Sequence, residues 1–303
     1  MNDFLSVFLN NILPIFLVAS IGYGLRARLS LDIKPLSKSV FYAFSPALVF
    51  TSLVNSQLPG DEIIDLAVFT VLVTLAMGLL GLVSGRLMKL PRQDTIALIL
   101  VLMFVNGGNF GLTLNKLRYG DDGLSRAVVY YFTSTILVYT LGVFIASMGR
   151  SSWRDSLGKL VRLPAFYAVV LAIVVFNFEI KIPNPVMQAL DIASAGAIPV
   201  MLVVLGMTMA DLKHVDKVRL ALPASLMRLL IGPVIAVFVA TWLGLTGLDF
   251  ATGVIEASMP TAVITTILAT EFQVRPGMVT STVVLSTLLS VITLPIVIGL
   301  LGI

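Results

Sequence analysis

The chain has 303 residues, 58% of them hydrophobic and 12% charged, and a mean hydropathy of +1.02, whereas soluble domains carry about 25% charged residues. A soluble fold has no way to cover that much apolar surface. Having no cysteine, the chain makes no disulfide or thiolate metal site, and the single His214 lies in a basic loop, not a ligand cluster. The formal charge of +4 comes from basic residues scattered over short loops, not the continuous stripe that nucleic acid would need.

A membrane span takes roughly 20 mainly apolar residues to cross about 30 Å of hydrocarbon. Ten stretches qualify: 4–25, 35–55, 63–86, 95–115, 123–148, 164–180, 186–210, 218–243, 250–270 and 277–301. The first has no basic region ahead of it and no small-residue cleavage site behind it, which predicts a retained helix. The second carries Pro46 in mid-span; the seventh opens on Asp191 and small residues and carries Pro199. The fourth is interrupted by Asn106-Gly107-Gly108-Asn109-Phe110-Gly111, the ninth by Ser258-Met259-Pro260-Thr261. The connection at about 149–163 is too short and too basic to be a domain. The expected organisation is all-α, with residues 1–150 as a first five-helix repeat, 151–163 as a cytoplasmic linker and 164–303 as a second repeat. Five helices followed by five more bring the second repeat in from the opposite side of the membrane, an inverted repeat.

Loop charge alternates. Arg26, Arg28, Lys34 and Lys38 follow the first span; Arg86, Lys89 and Arg92 the third; Arg150, Arg154, Lys159 and Arg162 the fifth; Lys213, Lys217 and Arg219 the seventh; Arg275 the ninth. The opposite loops hold Lys116, Arg118, Arg126 and Lys181 beside Asp61, Glu62, Asp65, Asp121, Asp122 and Glu179. Lys/Arg excess marks the cytoplasmic side, so both termini are expected outside, in a multi-pass protein of a bacterial inner (plasma) membrane.

At 1.5 Å per residue, Asn106 lies about 16 Å into the fourth span and Pro260 about as deep in the ninth, both near the midplane. Irregular backbone there is tolerated only against protein, water or ligand, and crossed, interrupted helices of inverted repeats are one way to build a substrate and ion site. The blander alternative is that Gly107 and Gly108 permit close packing and Pro260 makes a kink. Asn106 and Asn109 add polar groups that packing does not require. Two charges also fall inside spans: Glu256 about 10 Å deep, one turn before the ninth-span break, and Arg228 about 15 Å deep in the eighth. Buried charges in a bilayer are functional candidates by default. Either they form a structural ion pair with each other, or Glu256 carries a coupling cation or proton while Arg228 contacts an anionic substrate. Thr133-Ser134-Thr135 reaches similar depth, where Thr133 and Ser134 are candidates to complete an oxygen cage for Na⁺ with Asn109 and Glu256. Asn106, Gly107, Gly108, Asn109, Arg228, Pro260 and Thr261 are the expected substrate-binding residues.

These motifs, in order, resemble the auxin efflux carrier family of bacteria and plants. The resemblance runs from Leu13-Pro14-Ile15-Phe16-Leu17 and Gly22-Tyr23-Gly24-Leu25-Arg26 through the Asn106–Gly111 motif to Ile198-Pro199-Val200-Met201-Leu202. It continues through Arg228-Leu229-Leu230-Ile231-Gly232-Pro233, Ala257-Ser258-Met259-Pro260-Thr261-Ala262 and Leu285-Ser286-Thr287-Leu288-Leu289-Ser290. It implies ten helices in two inverted repeats, helices 4 and 9 crossing at the substrate site, and an elevator mechanism. Bacterial members are associated with carboxylates such as malonate, plant members with auxin. The bile acid sodium symporters are a related family in which a helix-9 glutamate binds sodium, a role the resemblance suggests for Glu256. Where those proteins carry a glutamine one turn later, this chain has Pro260, which puts one of their two sodium sites in doubt.

A membrane enzyme would need an intramembrane His, a Ser–His or Ser–Lys pair or paired aspartates, and none is visible. No filter repeat suggests a channel, and no Gly-x-x-x-x-Gly-Lys-Ser/Thr motif suggests ATP-driven transport. The expectation is a secondary transporter of a small-molecule carboxylate, coupled to Na⁺ or H⁺; a bile-acid-like or other organic solute is the alternative substrate, and a uniporter or channel a weaker alternative. Na⁺ is the sole candidate cofactor; the lipid bilayer is a partner, nucleic acid is not, and a homodimer is a candidate assembly.

Overall fold

The computed structural model describes residues 2–56, 58–147, 163–211 and 218–303. His214 and residues 151–162 of the expected linker 151–163 lie outside them. Among the described residues the chain is helical, apart from one isolated antiparallel bridge. The helices are α1 (2–29), α2 (33–54), α3 (Gly60–Leu87) and α4, whose arms are Arg92–Met103 and 107–119. Gly107–Ala146 runs on as one 40-residue helical segment that contains an apolar window long enough to cross a membrane. It is bent at Gly120, which takes φ 67° and ψ −148°, values open to glycine and strained for other residues; residues 121–146 beyond the bend are α5. Then come α6 (Pro164–Asn177), α7 (Asn184–Asp211), α8 (218–243), α9 with arms Gly247–Ala257 and Ile264–Glu271, and α10 (Pro276–Leu301).

Six stretches are individually long and apolar enough to cross a membrane: Phe4–Leu29, Gly60–Leu87, Gly107–Ala146, Asn184–Ala210, Arg219–Leu243 and Pro276–Leu301. The predicted spans on α2, α4, α6 and α9 are not among the six, three of them for identifiable reasons. Breaks divide α4 and α9, and α6 has only 14 residues.

Several mid-span prolines act through a widened turn rather than a sharp kink. Five-residue π stretches at Phe8–Ile12, Val40–Phe44 and Met227–Ile231 are each followed, two residues on, by Pro14, Pro46 and Pro233. Proline lacks an N–H and its ring crowds the preceding turn, and a π stretch accommodates both within a continuous rod. Pro199 lies in an uninterrupted α-helix instead, so Pro46 and Pro199, alike in sequence, differ in local structure.

The helices pack in two groups. In one, α1 lies on α7, and α2 on α6 and α7. The α1–α7 contact is reciprocal: a Cβ on Gly22 would collide with the Val203 backbone, and one on Gly206 with the Ala19 backbone. In the other group, α3 packs on the first arm of α4 through Gly78 against Met103, Gly81 against Ile99 and Gly85 against Thr95. There α8 packs on α3, α10 and the first arm of α9. The first arm of α4 lies at the centre of the main hydrophobic cluster, with Ala97 through Phe104 buried apart from Ile99.

Candidate functional site

The two breaks meet. Asn106 N donates to Pro260 O at 2.8 Å and Ala262 N to Phe104 O at 2.9 Å, which makes Val105 and Thr261 an isolated antiparallel bridge. A helix end leaves up to four carbonyls without intrahelical partners, and each break exposes such an end deep in the protein. On the α4 side, Leu100 O accepts from Phe104 N, Val101 O from the Thr261 hydroxyl at 2.9 Å, and Leu102 O from Arg228 Nη1 at 2.7 Å. On the α9 side, Val254 O accepts from the Ser258 hydroxyl at 2.6 Å, Glu256 O from Met259 N, and Ala257 O from Arg228 Nη2. The amide of Thr261 donates to Ser286 Oγ on α10 at 3.1 Å.

Arg228 is 1% exposed. Its guanidinium bridges the carbonyl ends of two half-helices, where a cation is favoured by both helix dipoles. It makes no ion pair with Glu256 among the described residues, and two of its nitrogens are committed to backbone. The structural-pair alternative is therefore corrected: the acceptors are carbonyls, not a carboxylate.

Glu256, fully buried, lies against the first turn of α4's second arm. A Cβ on Gly107 would stand 2.6 Å from Glu256 Oε2, and one on Gly111 would overlap the carboxyl group; the glycines are needed because the carboxyl occupies the space a side chain would fill. Glu256 Oε1 accepts from Asn115 Nδ2 at 3.1 Å, and the same amide donates to Gly111 O at 3.0 Å. Glu256 Oε2, Asn115 Oδ1 and the hydroxyl of Thr252, one turn earlier on the same arm, are buried without a hydrogen-bond partner.

Beside the crossing is a cavity of about 180 Å³ lined by Phe41 of α2, Asn106, Gly107, Gly108 and Asn109 of the break, Tyr131, Ser134 and Tyr139 of α5, and Ala262 to Ile264 of α9. The buried Asn106 Nδ2 has no partner. Asn106, Gly107, Gly108, Asn109 and Ser134 thus come together, Pro260 and Thr261 form the bridge, and Arg228 lies at the carbonyl ends. Glu256 is not among the cavity's lining residues; Asn109 and Ser134 do not join it. Thr133 faces elsewhere, into an apolar cavity of about 410 Å³ shared with Phe132, Phe176 and Leu58. The partner of Glu256 that sequence reasoning missed is Asn115, and a signal existed: Gly107, Gly111 and Asn115 recur every fourth residue, on one helix face. Ser286, which supports the bridge, had no such signal.

Two ion pairs flank the crossing in matching places. Asp94, third residue of α4's first arm, pairs with Arg275 at the start of α10. Asp249, third residue of α9's first arm, pairs with Arg126 of α5, which also reaches Glu62 of α3 at 2.7 Å.

The family described as membrane transport protein matches residues 7–152 and 147–298. An uncharacterized transporter of Methanothermobacter thermautotrophicus is 29% identical over 94% of this chain and 95% of its own length. An uncharacterized transporter of Methanocaldococcus jannaschii is 24% identical over 86% of the chain and 87% of its own. Auxin efflux carrier component 1 of Arabidopsis thaliana is 27% identical over 46% of the chain and 22% of its own length.

Proposed function

The chain belongs to the membrane transport protein family, and from that premise we propose a secondary active transporter of a small organic anion, a carboxylate, coupled to Na⁺ or H⁺. Its family and relatives are transporters, not enzymes. The observation that carries the proposal is the crossing of two interrupted helices beside a small polar cavity. The buried Asn106 amide, without an acceptor, stands at the start of α4's second arm, where helix N-termini favour anions. Together these groups suit a carboxylate, and the phenol rings of Tyr131 and Tyr139 suit its organic part.

In this reading the chain crosses a plasma membrane ten times, α4 and α9 each doing so with two arms, and both termini lie outside. The packing supports an inverted repeat: exchanging each helix for the one five places on turns α1–α7 into α6–α2, α3–α4 into α8–α9, and α4–α10 into α9–α5. The matched pairs Asp94–Arg275 and Asp249–Arg126 follow the same exchange. The cavity lies on the seam between the two helix groups, since Phe41 comes from one group and the breaks from the other, an arrangement that suits elevator-type movement of one group past the other.

Glu256 is the proposed carrier of the coupling ion. Its carboxyl, the Asn115 side-chain oxygen and the Thr252 hydroxyl offer unpartnered oxygens of the kind a hard cation takes, and a carboxyl is also a group that carries a proton. Arg228 we assign to holding the crossing together rather than to the substrate.

The test is uptake of a panel of radiolabelled carboxylates into proteoliposomes with imposed Na⁺ or H⁺ gradients. Accumulation of one carboxylate under one of the gradients is expected; no gradient-dependent accumulation across the panel overturns the proposal. Topology is read by impermeant maleimide on whole cells: Asp122→Cys should label and Gln93→Cys should not.

A further inference from the structure

At the Lys/Arg-rich end of the helices a second cavity, of about 540 Å³, opens between α3, the first arm of α4 and α5. Apart from Thr95 its walls are apolar, formed by Leu82, Ile96, Ile99, Phe144 and Ile145, and its rim carries Arg86 and Arg92. Both arginines are exposed, and neither makes a side-chain hydrogen bond or ion pair among the described residues. Asp94, the acid nearest to Arg92 in the chain, is bound in both carboxylate oxygens by Arg275.

The turn that joins the two helices fixes the backbone positions of both arginines. Leu90 N donates to Gly85 O at 2.9 Å and Lys89 N to Arg86 O at 3.0 Å, with Lys89 left-handed at φ 51°. That is the Schellman closure of a helix C-terminus. Arg86 thus ends α3 and Arg92 begins α4 across a short, hydrogen-bonded loop, and Lys89 adds a third positive charge between them. The combination is a cationic rim beside a mainly apolar groove.

We propose that this groove binds one anionic phospholipid, its phosphate held by Arg86 and Arg92 and an acyl chain lying between Leu82, Ile99, Phe144 and Ile145. Two features select this ligand. Guanidinium groups bind phosphate oxygens in a bidentate manner, and the mainly apolar groove beside the rim has a complement in an acyl chain but none in a free anion. Basic pockets between helices at the cytoplasmic face are a recurrent way to hold such headgroups. The proposal rests on the membrane-spanning reading, which places this end in the headgroup layer, but not on the identity of the transported substrate.

Native mass spectrometry of the detergent-solubilised full chain, titrated with phosphatidylglycerol, phosphatidylcholine or inorganic phosphate, tests it. The wild type is expected to retain phosphatidylglycerol well above phosphatidylcholine, with inorganic phosphate a poor competitor. Arg86→Gln and Arg92→Gln should each weaken retention about fivefold and the double variant about 30-fold, while Lys181→Gln at the opposite end changes nothing. Equal retention of the two lipids by the wild type overturns the proposal, whether or not the variants fold. So does an unchanged double variant, an equal loss in Lys181→Gln, or full displacement by inorganic phosphate, which would mark a free-anion site. Carboxylate uptake measured in parallel keeps the two readings apart, since a failed transport assay leaves lipid retention unaffected and the reverse holds too.

Discussion

The two breaks at the crossing share a frame and differ in chemistry. Each interrupts a helix, each gives one amide and takes one carbonyl in the bridge between Val105 and Thr261, and each is preceded by an arm whose third residue is a paired aspartate. Yet the two buried charges belong to one half only. Glu256 lies one turn before the α9 break, where the α4 arm has the fully buried Leu100 and Val101. Arg228 rises from α8 to serve both breaks. The glycines are equally one-sided: the α4 break is made by removing side chains, the α9 break by a proline that removes a donor. The halves supply matching backbone, one of them supplies a carboxyl, and the other supplies the space it occupies. A frame of two like parts thereby becomes a site with distinct faces.

The comparison breaks most severely at Arg228. Arg228→Met leaves Leu102 O and Ala257 O buried without donors, at about 1–3 kcal/mol for each, and is expected to give the largest loss of thermal stability in detergent. Arg228→Lys reaches one carbonyl more easily than two and should lose about half as much; wild-type melting and transport in both variants would show that the carbonyl ends need no clamp. Next is Gly111→Ala, whose methyl meets the Glu256 carboxyl. Overpacking of this kind costs about 1–3 kcal/mol, and adding Glu256→Ala should recover most of the lost melting temperature. Absence of recovery would mean that the glycine serves something other than the carboxyl.

Glu256→Gln keeps the shape and removes the charge, so its expected effect lies in function rather than folding. Melting should move little, gradient-driven accumulation should be lost, and substrate exchange should persist. Accumulation with unchanged ion dependence would remove Glu256 from coupling. The smallest effects belong to the flanking pairs. Asp94→Asn and Asp249→Asn should each cost less than about 1 kcal/mol, as partly exposed pairs do. Asp249→Asn is expected to cost less than Asp94→Asn, because Arg126 retains Glu62; chemical melts in low and high salt would separate them.

Much of this was legible in the residues. The Gly107-Gly108 pair and Pro260 mark both breaks, since each disfavours a continuing helix, and the spacing to their helix starts places them at one depth. Legibility ended where the partner is backbone. The position of Arg228 could be read, but its acceptors are carbonyls, which every residue has and no sequence pattern marks. Direction around a helix was the second limit. Thr133, Ser134 and Thr135 are consecutive and so fan over about 200° of helix surface; Ser134 and Thr135 reach the crossing cavity and Thr133 turns away from it. Asn109 and Asn115 divide likewise, Asn109 facing the cavity while Asn115 meets the carboxyl.

The reciprocal fit of Gly22 and Gly206 has a consequence for motion. With each glycine seated against the other helix's main chain, α1 and α7 meet at these two positions without a side-chain layer between them, and rotating either helix there would drive a side chain into the neighbouring backbone. At that crossing point the two helices are expected to travel together, as a single strut, in any displacement of this part of the molecule.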